Sequence, residues 1–349
     1  MSANRELKIK EYSTLQEKSV KFFPSNQYAN NCIQTFAELD DWFSHWKDYE
    51  KGQKYKAYFR GMGEAKHKLY SSAQRLWSNY EIRDWKRPGP QLQYQDFVMK
   101  LINESLNDNT LLAKVFKLYG IEGTHKEFPC LSILQHYGSP TPLLDWTYNF
   151  RVALFFATEY ATVPAASIAN ELDDYFAIYV ITEQTFRIKE IEKRERALDP
   201  FPDPLEIEKQ KSVLNSFPDP LERAHPGHLS LLTDIKLDVT GKYNPADPFK
   251  KPLMATIYNQ YIIPQEGLFI FNPHAEVPLE DLFSKESLNA IPKGAVVPNS
   301  SFMVYNIHKR LLEYVKRKIA MEGYTRDYIM PDLKTFASSI KEKVLNGLV

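Results

Sequence analysis

Two stretches of the chain gather the side chains that could do chemistry. The first is Tyr58-Phe59-Arg60-Gly61, followed by Met62 and Gly63. A guanidinium at the end of an aromatic strand offers a rigid fork for a phosphate or a carboxylate, and the glycines let the backbone turn or approach a ligand closely. The same arginine could equally pair with a structural carboxylate. The second stretch runs from Leu134 to Ala157. Gln135 and His136, at the end of a short helix, can present an amide and an imidazole to a cleft, although a lone histidine is more often a satisfied structural one. Asp145, Trp146 and Thr147 place a carboxylate, a stacking ring and a hydroxyl in succession. That set suits a purine, a ribose or a nicotinamide ring. The competing reading is local, with Asp145 or Asn149 capping the next helix and Trp146 packed in the core. Farther on, Gln265 and Glu266 precede Gly267 and put a carboxylate just ahead of a strand, where a hairpin turn would also explain it.

Other chemistries lack their signatures. There is no GxSxG elbow, no HExxH, no GxGxxG and no Walker-type phosphate loop. The two cysteines, Cys32 and Cys130, form no CxxC pair and lie beside no histidine at metal-ligand spacing. They read as buried free thiols in a reducing compartment, and no metal site is expected.

The elements that must position these residues follow from periodicity. The first thirty residues read as an extended or strand-forming lead-in. An amphipathic helix is predicted over about 31–47, with Ile33, Phe36, Leu39, Trp42, Phe43 and Trp46 on its apolar stripe. A short strand over 56–60 should stop at the glycines and leave Arg60 at its end. A helical region around Phe97 to Leu118 leads to a short helix that Gly138 terminates. Ser139-Pro-Thr-Pro142 must be a loop, 143–146 a strand, and Asn149 the cap of a largely buried helix to about 162. Strands are predicted at 176–181, 255–258, 267–271 and 302–305, and helices at 308–321 and 332–344. Between them, from about 183 to 252, the chain turns charged and proline-rich, and Phe-Pro-Asp-Pro-Leu-Glu occurs at 201–206 and again at 217–222. Two copies fall short of a repeat architecture, so the segment reads as an insertion in one domain over 31–345. Strands interleaved with helices argue for an α+β fold, a mixed sheet core with flanking helices.

Composition sets wide bounds. With 349 residues, 43% hydrophobic, the chain can fill a substantial core. Lys and Arg balance Asp and Glu at 44 each, so no global field draws it to nucleic acid or an anionic membrane. No stretch approaches the roughly 20 apolar residues that span a bilayer, and the N-terminus lacks the apolar run of a signal peptide. A cytoplasmic location is the expectation.

Taken together, these residues resemble the FRG domain family. The family's (F/Y)RG tripeptide is matched by Phe59-Arg60-Gly61. A longer and more specific block, LQHYG-x-PT-x-LLDWT-x-N-x-x-x-AL-x-FA, is matched from Leu134 to Ala157. The segment from Gly323 to Leu333 looks like the family's C-terminal piece. Two positions depart from the pattern: Tyr261 stands where an arginine is expected ahead of Gln265, Gly267 and Phe269, and Pro142 replaces an arginine often found after the PT pair. A weaker similarity is to ADP-ribosyltransferases of the arginine-serine-glutamate type, whose first strand carries an aromatic-Arg-Gly element. It implies an ADP-ribosyltransferase-like fold and NAD as the ligand. Arg60, with Gly61, Gln135, Asp145, Trp146 and Gln265 around it, would bind the cofactor, and Thr147 would orient the nicotinamide ribose. Glu266, which lacks that family's glutamate-x-glutamate context, would stabilise the transition state near His136.

The function so implied is a nucleotide-binding or NAD-using effector of bacterial stress or phage defence that acts on a macromolecular acceptor. A non-catalytic module binding a nucleotide, nucleic acid or protein through the same cleft is the alternative. A nucleic-acid-directed enzyme is the weakest, because its stacking aromatics, among them Tyr55, Trp77 and Tyr137, come without net positive charge.

Overall fold

The structure is a computed structural model and describes residues 9–22, 31–52, 57–79, 93–107, 110–118, 127–162, 171–182, 253–255, 264–272, 274–281, 302–331 and 340. Its strands are β1 (Cys32–Ile33), β2 (Ala57–Met62), β3 (Leu143–Thr147), β4 (Tyr175–Thr182), β5 (Leu253–Ala255), β6 (Gly267–Phe271) and β7 (Phe302–His308). They form one seven-stranded sheet in the order β1-β7-β4-β2-β3-β6-β5. β1 pairs β7 in parallel and every other pair is antiparallel. With helices on the sheet, this is the expected α+β fold with a mixed sheet.

Both faces of the sheet are covered, which is why its central strands read as nearly continuous apolar runs. Along β4 the side chains alternate: Phe176, Ile178 and Val180 join one cluster and Ala177, Tyr179 and Ile181 the other. On the first face lie α2 (Phe36–Gly52), α7 (Phe150–Glu159) and α8 (Leu312–Met321), with Trp42, Phe43 and Trp46 of α2 packed against Phe59 and Phe150. On the second, α1 (Leu15–Phe22) brings Phe22 onto Tyr179 and Phe302. A third cluster joins α3 (Ser72–Asn79), α4 (Tyr94–Asn107) and α6 (Glu127–His136) to Leu143, Phe269 and Phe271. α5 (Thr110–Leu118) packs beside α4, and α9 (Arg326–Ile329) follows α8. No helix among the described residues is long and apolar enough to cross a membrane.

Several boundaries differ from the sequence reading. The lead-in is not extended throughout, for it holds α1. The predicted first helix splits into β1 and α2, and Phe36 stands 56% exposed at the start of α2 while Leu39, Trp42, Phe43 and Trp46 are buried. The strand carrying Arg60 runs on through Gly61 and Met62, so Arg60 is inside the strand rather than at its end. The described strand before position 256 is Leu253–Ala255, upstream of the expected 255–258. The proline-rich stretch from 183, with both Phe-Pro-Asp-Pro-Leu-Glu copies, lies outside the described residues, as does nearly all of the helix expected at 332–344.

The physical reason for the two glycines is close approach, not a turn. A Cβ on Gly61 would sit 1.9 Å from the Ala153 carbonyl oxygen and 2.7 Å from the Ala157 nitrogen, both backbone atoms of α7. One on Gly63 would sit 2.2 Å from the Tyr160 carbonyl oxygen. Gly61 on β2 and the small residues of α7 therefore form one joint, in which helix backbone rests on strand backbone. Gly61→Ala should lower unfolding stability by about 3 kcal/mol or more, measured by urea denaturation.

Lys18 of α1 is fully buried. Its Nζ donates to the Ala65 carbonyl at 2.6 Å and lies 4.9 Å from the Tyr179 ring centre and 5.7 Å from that of Tyr12. Burial pulls its ammonium from 10.5 down to about 7, with Glu280 acting in the opposite sense. Between those values the unfolded chain binds more protons than the folded one, so this group makes stability rise with pH. The stability difference between the native protein and Lys18→Met should therefore shift in favour of the native protein from pH 7 to pH 9, which urea denaturation at the two pH values measures.

Candidate functional site

The sheet has one weak seam. β2 pairs with β4 over six residues, and β3 pairs with β6 over five, but β2 and β3 meet in register only at Phe59 and Thr147. Beyond that pair Arg60 lies on the β2 side of the seam and Asp145 on the β3 side. Arg60 Nη1 donates to the main-chain carbonyl of Asp145 at 2.5 Å and lies 3.8 Å from Asp145 Oδ2. The guanidinium thus serves a backbone acceptor that no strand-to-strand bond from β2 reaches. Its Nε is buried and has no hydrogen-bond partner among the described residues. Burial lowers the guanidinium's pKa and the Asp145 charge opposes the shift.

The Asp145 carboxylate is the exposed member of β3, with 59% of its side chain open to solvent. A short chain of hydrogen bonds orients it: Thr141 Oγ1 donates to Gln135 Oε1, and Gln135 Nε2 donates to Asp145 Oδ2 at 2.8 Å. Gly138, with φ of +81°, ends α6 just after Gln135 and His136 and turns the chain toward this strand. His136, Asp145, Trp146, Gln265, Gly267, Leu268 and Phe269 line a small cleft of about 30 Å³. Desolvation pulls the His136 imidazole below its ordinary value, and Asp145 opposes that shift. The Trp146 indole ring is 3% exposed and packs in the core edge-on to Phe302.

A second constellation forms where β3 ends. Thr147 Oγ1 donates to the Gln265 carbonyl at 2.7 Å and accepts from the Asn149 backbone nitrogen at 3.0 Å. Tyr148 N donates to the Glu266 carbonyl at 2.9 Å. The Asn149 side chain is used at both ends: Oδ1 accepts from Arg151 N and caps α7, while Nδ2 donates to Glu266 Oε1 and to Tyr324 Oη, each at 2.8 Å. Held this way, Glu266 has φ of +46°, the left-handed region that a non-glycine residue enters at a cost. Beyond Asn149, Arg151 Nη1 binds both oxygens of Glu50 at 3.0 Å and Arg151 Nε binds Glu322 Oε2 at 2.5 Å. Burial raises the Glu50 carboxyl, while Arg151 lowers it and Glu266 adds to the rise.

A family model, the FRG domain, matches residues 55–165. The chain carries an FRG domain. The matched region of the FRG domain runs from β2 through α7 and so holds both sides of the seam. No curated protein and no solved structure matches the chain.

Seen against the FRG domain, the expected site residues divide into groups. Arg60, Gln135, His136 and Asp145 come together at the open part of the seam. Thr147, Gln265 and Glu266 come together at its closed end, and Gln265 also lines the cleft. Trp146 is in the core, and Gly61 faces α7. Sequence reasoning took Asn149 only as a helix cap, and it missed Thr141, Tyr324 and the Arg151 cluster. Tyr324 stands in the C-terminal segment that resembles the family, which was its one signal. Position 261, where tyrosine replaces the family's expected arginine, lies outside the described residues. Among the described residues no group of three or more His, Cys, Asp or Glu is placed to hold a metal ion, and Cys32 and Cys130 are free.

The Asn149 clamp gives a direct test. Asn149→Asp keeps an oxygen to cap α7 but turns the donor facing Glu266 into a second carboxylate. It should lower stability by roughly 1–3 kcal/mol at pH 7, read by urea denaturation.

Proposed function

We propose that the FRG domain binds a nucleotide of the NAD or ADP-ribose class at the β2–β3 seam and performs ADP-ribosyltransferase-like chemistry there. The observation that carries this reading is the pairing of two groups across one strand. A partly buried arginine, its buried Nε without a partner among the described residues, meets the middle of β3 at Asp145, and a carboxylate held in a strained backbone conformation stands beyond the strand's end. Strain of this kind persists only where surrounding contacts enforce it, and Thr147, Tyr148 and Asn149 supply those contacts.

The donor set fits such a ligand. Arg60 Nε is a charged donor without an acceptor, suited to a diphosphate oxygen, and Asp145 with Gln135 can accept from and donate to ribose hydroxyls. Thr147 and Asn149 fix Glu266 beside the seam. NAD would supply a cationic nicotinamide leaving group, and its departure places positive charge at a ribosyl carbon that a preorganised carboxylate stabilises. The role of the protein is then to hold the diphosphate, orient the ribose and keep the carboxylate in place. A macromolecular acceptor, in a stress or phage-defence setting, follows from this reading.

A second reading has its own observation. Arg60 Nη1 already serves Asp145, and the cleft among the described residues has room for little more than water. Both suit a module that binds a nucleotide or a protein segment without catalysis.

Isothermal titration with NAD and ADP-ribose separates the two. Arg60→Ala should weaken binding by at least about tenfold, the loss of one charge-assisted contact. Glu266→Gln should keep binding while abolishing nicotinamide release. Binding without release in the native protein favours the module, and no heat with either ligand in a folded sample removes the nucleotide reading.

A further inference from the structure

Neither constellation uses α1, Lys18 or Glu280, yet α1 covers β4 and β7, and β4 is the strand that pairs with β2 along Arg60. Along β2, Phe59 packs with the α7 side and Gly61 touches α7, so Tyr58 and Arg60 belong to the opposite face. On that face the cross-strand partner of Arg60 is Tyr179 of β4. Tyr179 is covered by α1: the Phe22 ring meets it edge-on at 5.6 Å, and Lys18 Nζ stands 4.9 Å above it.

The rest of the arm from Glu11 to Phe22 is fastened to the loop that follows β2. Glu11 bridges His67 in an isolated β-pair, with 3.3 Å from the carboxylate to His67 Nε2. Tyr12 N donates to the Lys66 carbonyl at 2.8 Å, and Lys18 Nζ donates to the Ala65 carbonyl. Tyr12 Oη donates to Glu280 Oε1 at 2.9 Å, and that carboxylate is itself fully buried and accepts from Leu69 N. Leu15 N donates to Glu171 Oε1 at 2.5 Å.

Two features make this arm a separable unit. Its helix has eight residues, too few to be stable unless docked. Its anchor is a buried ammonium, whose desolvation opposes docking and is offset, among the described residues, by one carbonyl, two rings and the fields of Glu280 and Cys32.

We propose that residues 11–22 are a displaceable strap over the Arg60 face of the sheet, latched by Lys18 between Tyr12, Tyr179 and Glu280, and that its release is what opens Arg60 to an anionic ligand. The inference rests on the nucleotide reading for its purpose but not for its test. Closed, the strap keeps Tyr179, the cross-strand partner of Arg60, covered. Open, it exposes a guanidinium beside an aromatic surface.

The test uses the full chain and two measurements that need no ligand. Hydrogen exchange by mass spectrometry reads the strap, and labelling by the arginine-selective reagent phenylglyoxal, mapped to Arg60, reads the covered face. Lys18→Glu sets a carboxylate against Glu280. It should raise exchange across 11–22 by about tenfold or more, a local opening, and raise Arg60 labelling severalfold while α7 and β4 exchange as before. Tyr12→Ala removes the Glu280 hydrogen bond and one ring, and it gives the same readout should Lys18→Glu not fold. If exchange rises through β4 together with the strap, the arm is part of the cooperative core and the proposal falls. It also falls if the strap opens and Arg60 labelling stays unchanged. A strap that opens and exposes Arg60 in a protein that binds no nucleotide sustains the strap and removes only the nucleotide reading.

Discussion

A β-ladder that stops after one residue pair leaves hydrogen-bonding groups that some other atom must satisfy, and here that atom belongs to a side chain. β2 is committed to β4 on one edge, and one of its faces is drawn against α7 by the contact between Gly61 and the Ala153 carbonyl. β3 is committed to β6. α7 begins two residues beyond β3, after Tyr148 and Asn149, and packs on β2, so the short turn at Tyr148-Asn149 and the glycine contact together fix where the seam closes. At the closed end Thr147 pairs with Phe59. Where the seam opens, Arg60 reaches Asp145. An arginine is suited to this duty because its fork can serve a backbone carbonyl with one nitrogen and still hold further donors. A lysine would carry the charge without the second prong.

The same constraint explains why the two parts of the (F/Y)RG and LQHYG-to-AL-x-FA pattern travel together. Gly61 without a small, closely approaching α7 would be a weak point in a strand. Ala153 and Ala157 without a glycine beneath them would have no room to approach. Phe59, on the same face as Gly61, meets Trp46 edge-on at 4.9 Å and completes the contact from α2. Asn149 then couples this packing to the closed end of the seam, because the amide that caps α7 also holds Glu266 and Tyr324. A helix cap is an economical place for such a coupling: the oxygen is spent on the helix and the nitrogen remains to be aimed elsewhere.

The parts of this arrangement legible in the sequence were those set by local rules. Gly138 past the end of α6, Asn149 at the start of α7, the prolines around Thr141 and the continuous apolar runs of β4 and β6 each depend on neighbours a few residues away. The parts that were not legible depend on partners far along the chain. Gly61 and Gly63 read as either a turn or a close approach to a ligand because a glycine's sequence signal is the same whether it supplies positive φ or close approach, and only the position of α7 decides that the approach is to a helix. α1 was hidden because Lys18 occupies a buried position and breaks the apolar period that would announce a helix. Its burial is made tolerable by Tyr12, Tyr179 and Glu280, the last more than 250 residues away. Glu266 gave a carboxylate ahead of a strand, but its left-handed backbone is set among bonds across the sheet, from Thr147 to the Gln265 carbonyl and from Tyr148 and Asn149 to Glu266 itself.

That division bears on where selection can act on such a site. Residues whose roles are local can be replaced by others with the same propensity, as aspartate or serine can cap a helix. Asn149 cannot, because its amide nitrogen faces a carboxylate, and aspartate would bring two negative charges together while serine is too short to serve both ends. Arg60 is held in the same way, by a carbonyl on one side and an unpartnered, buried Nε on the other. Residues that answer to two partners at once are the ones a fold cannot vary without also changing its site. In this chain they flank the seam between β2 and β3, whereas Trp146, adjacent in sequence, gives its indole ring to the core.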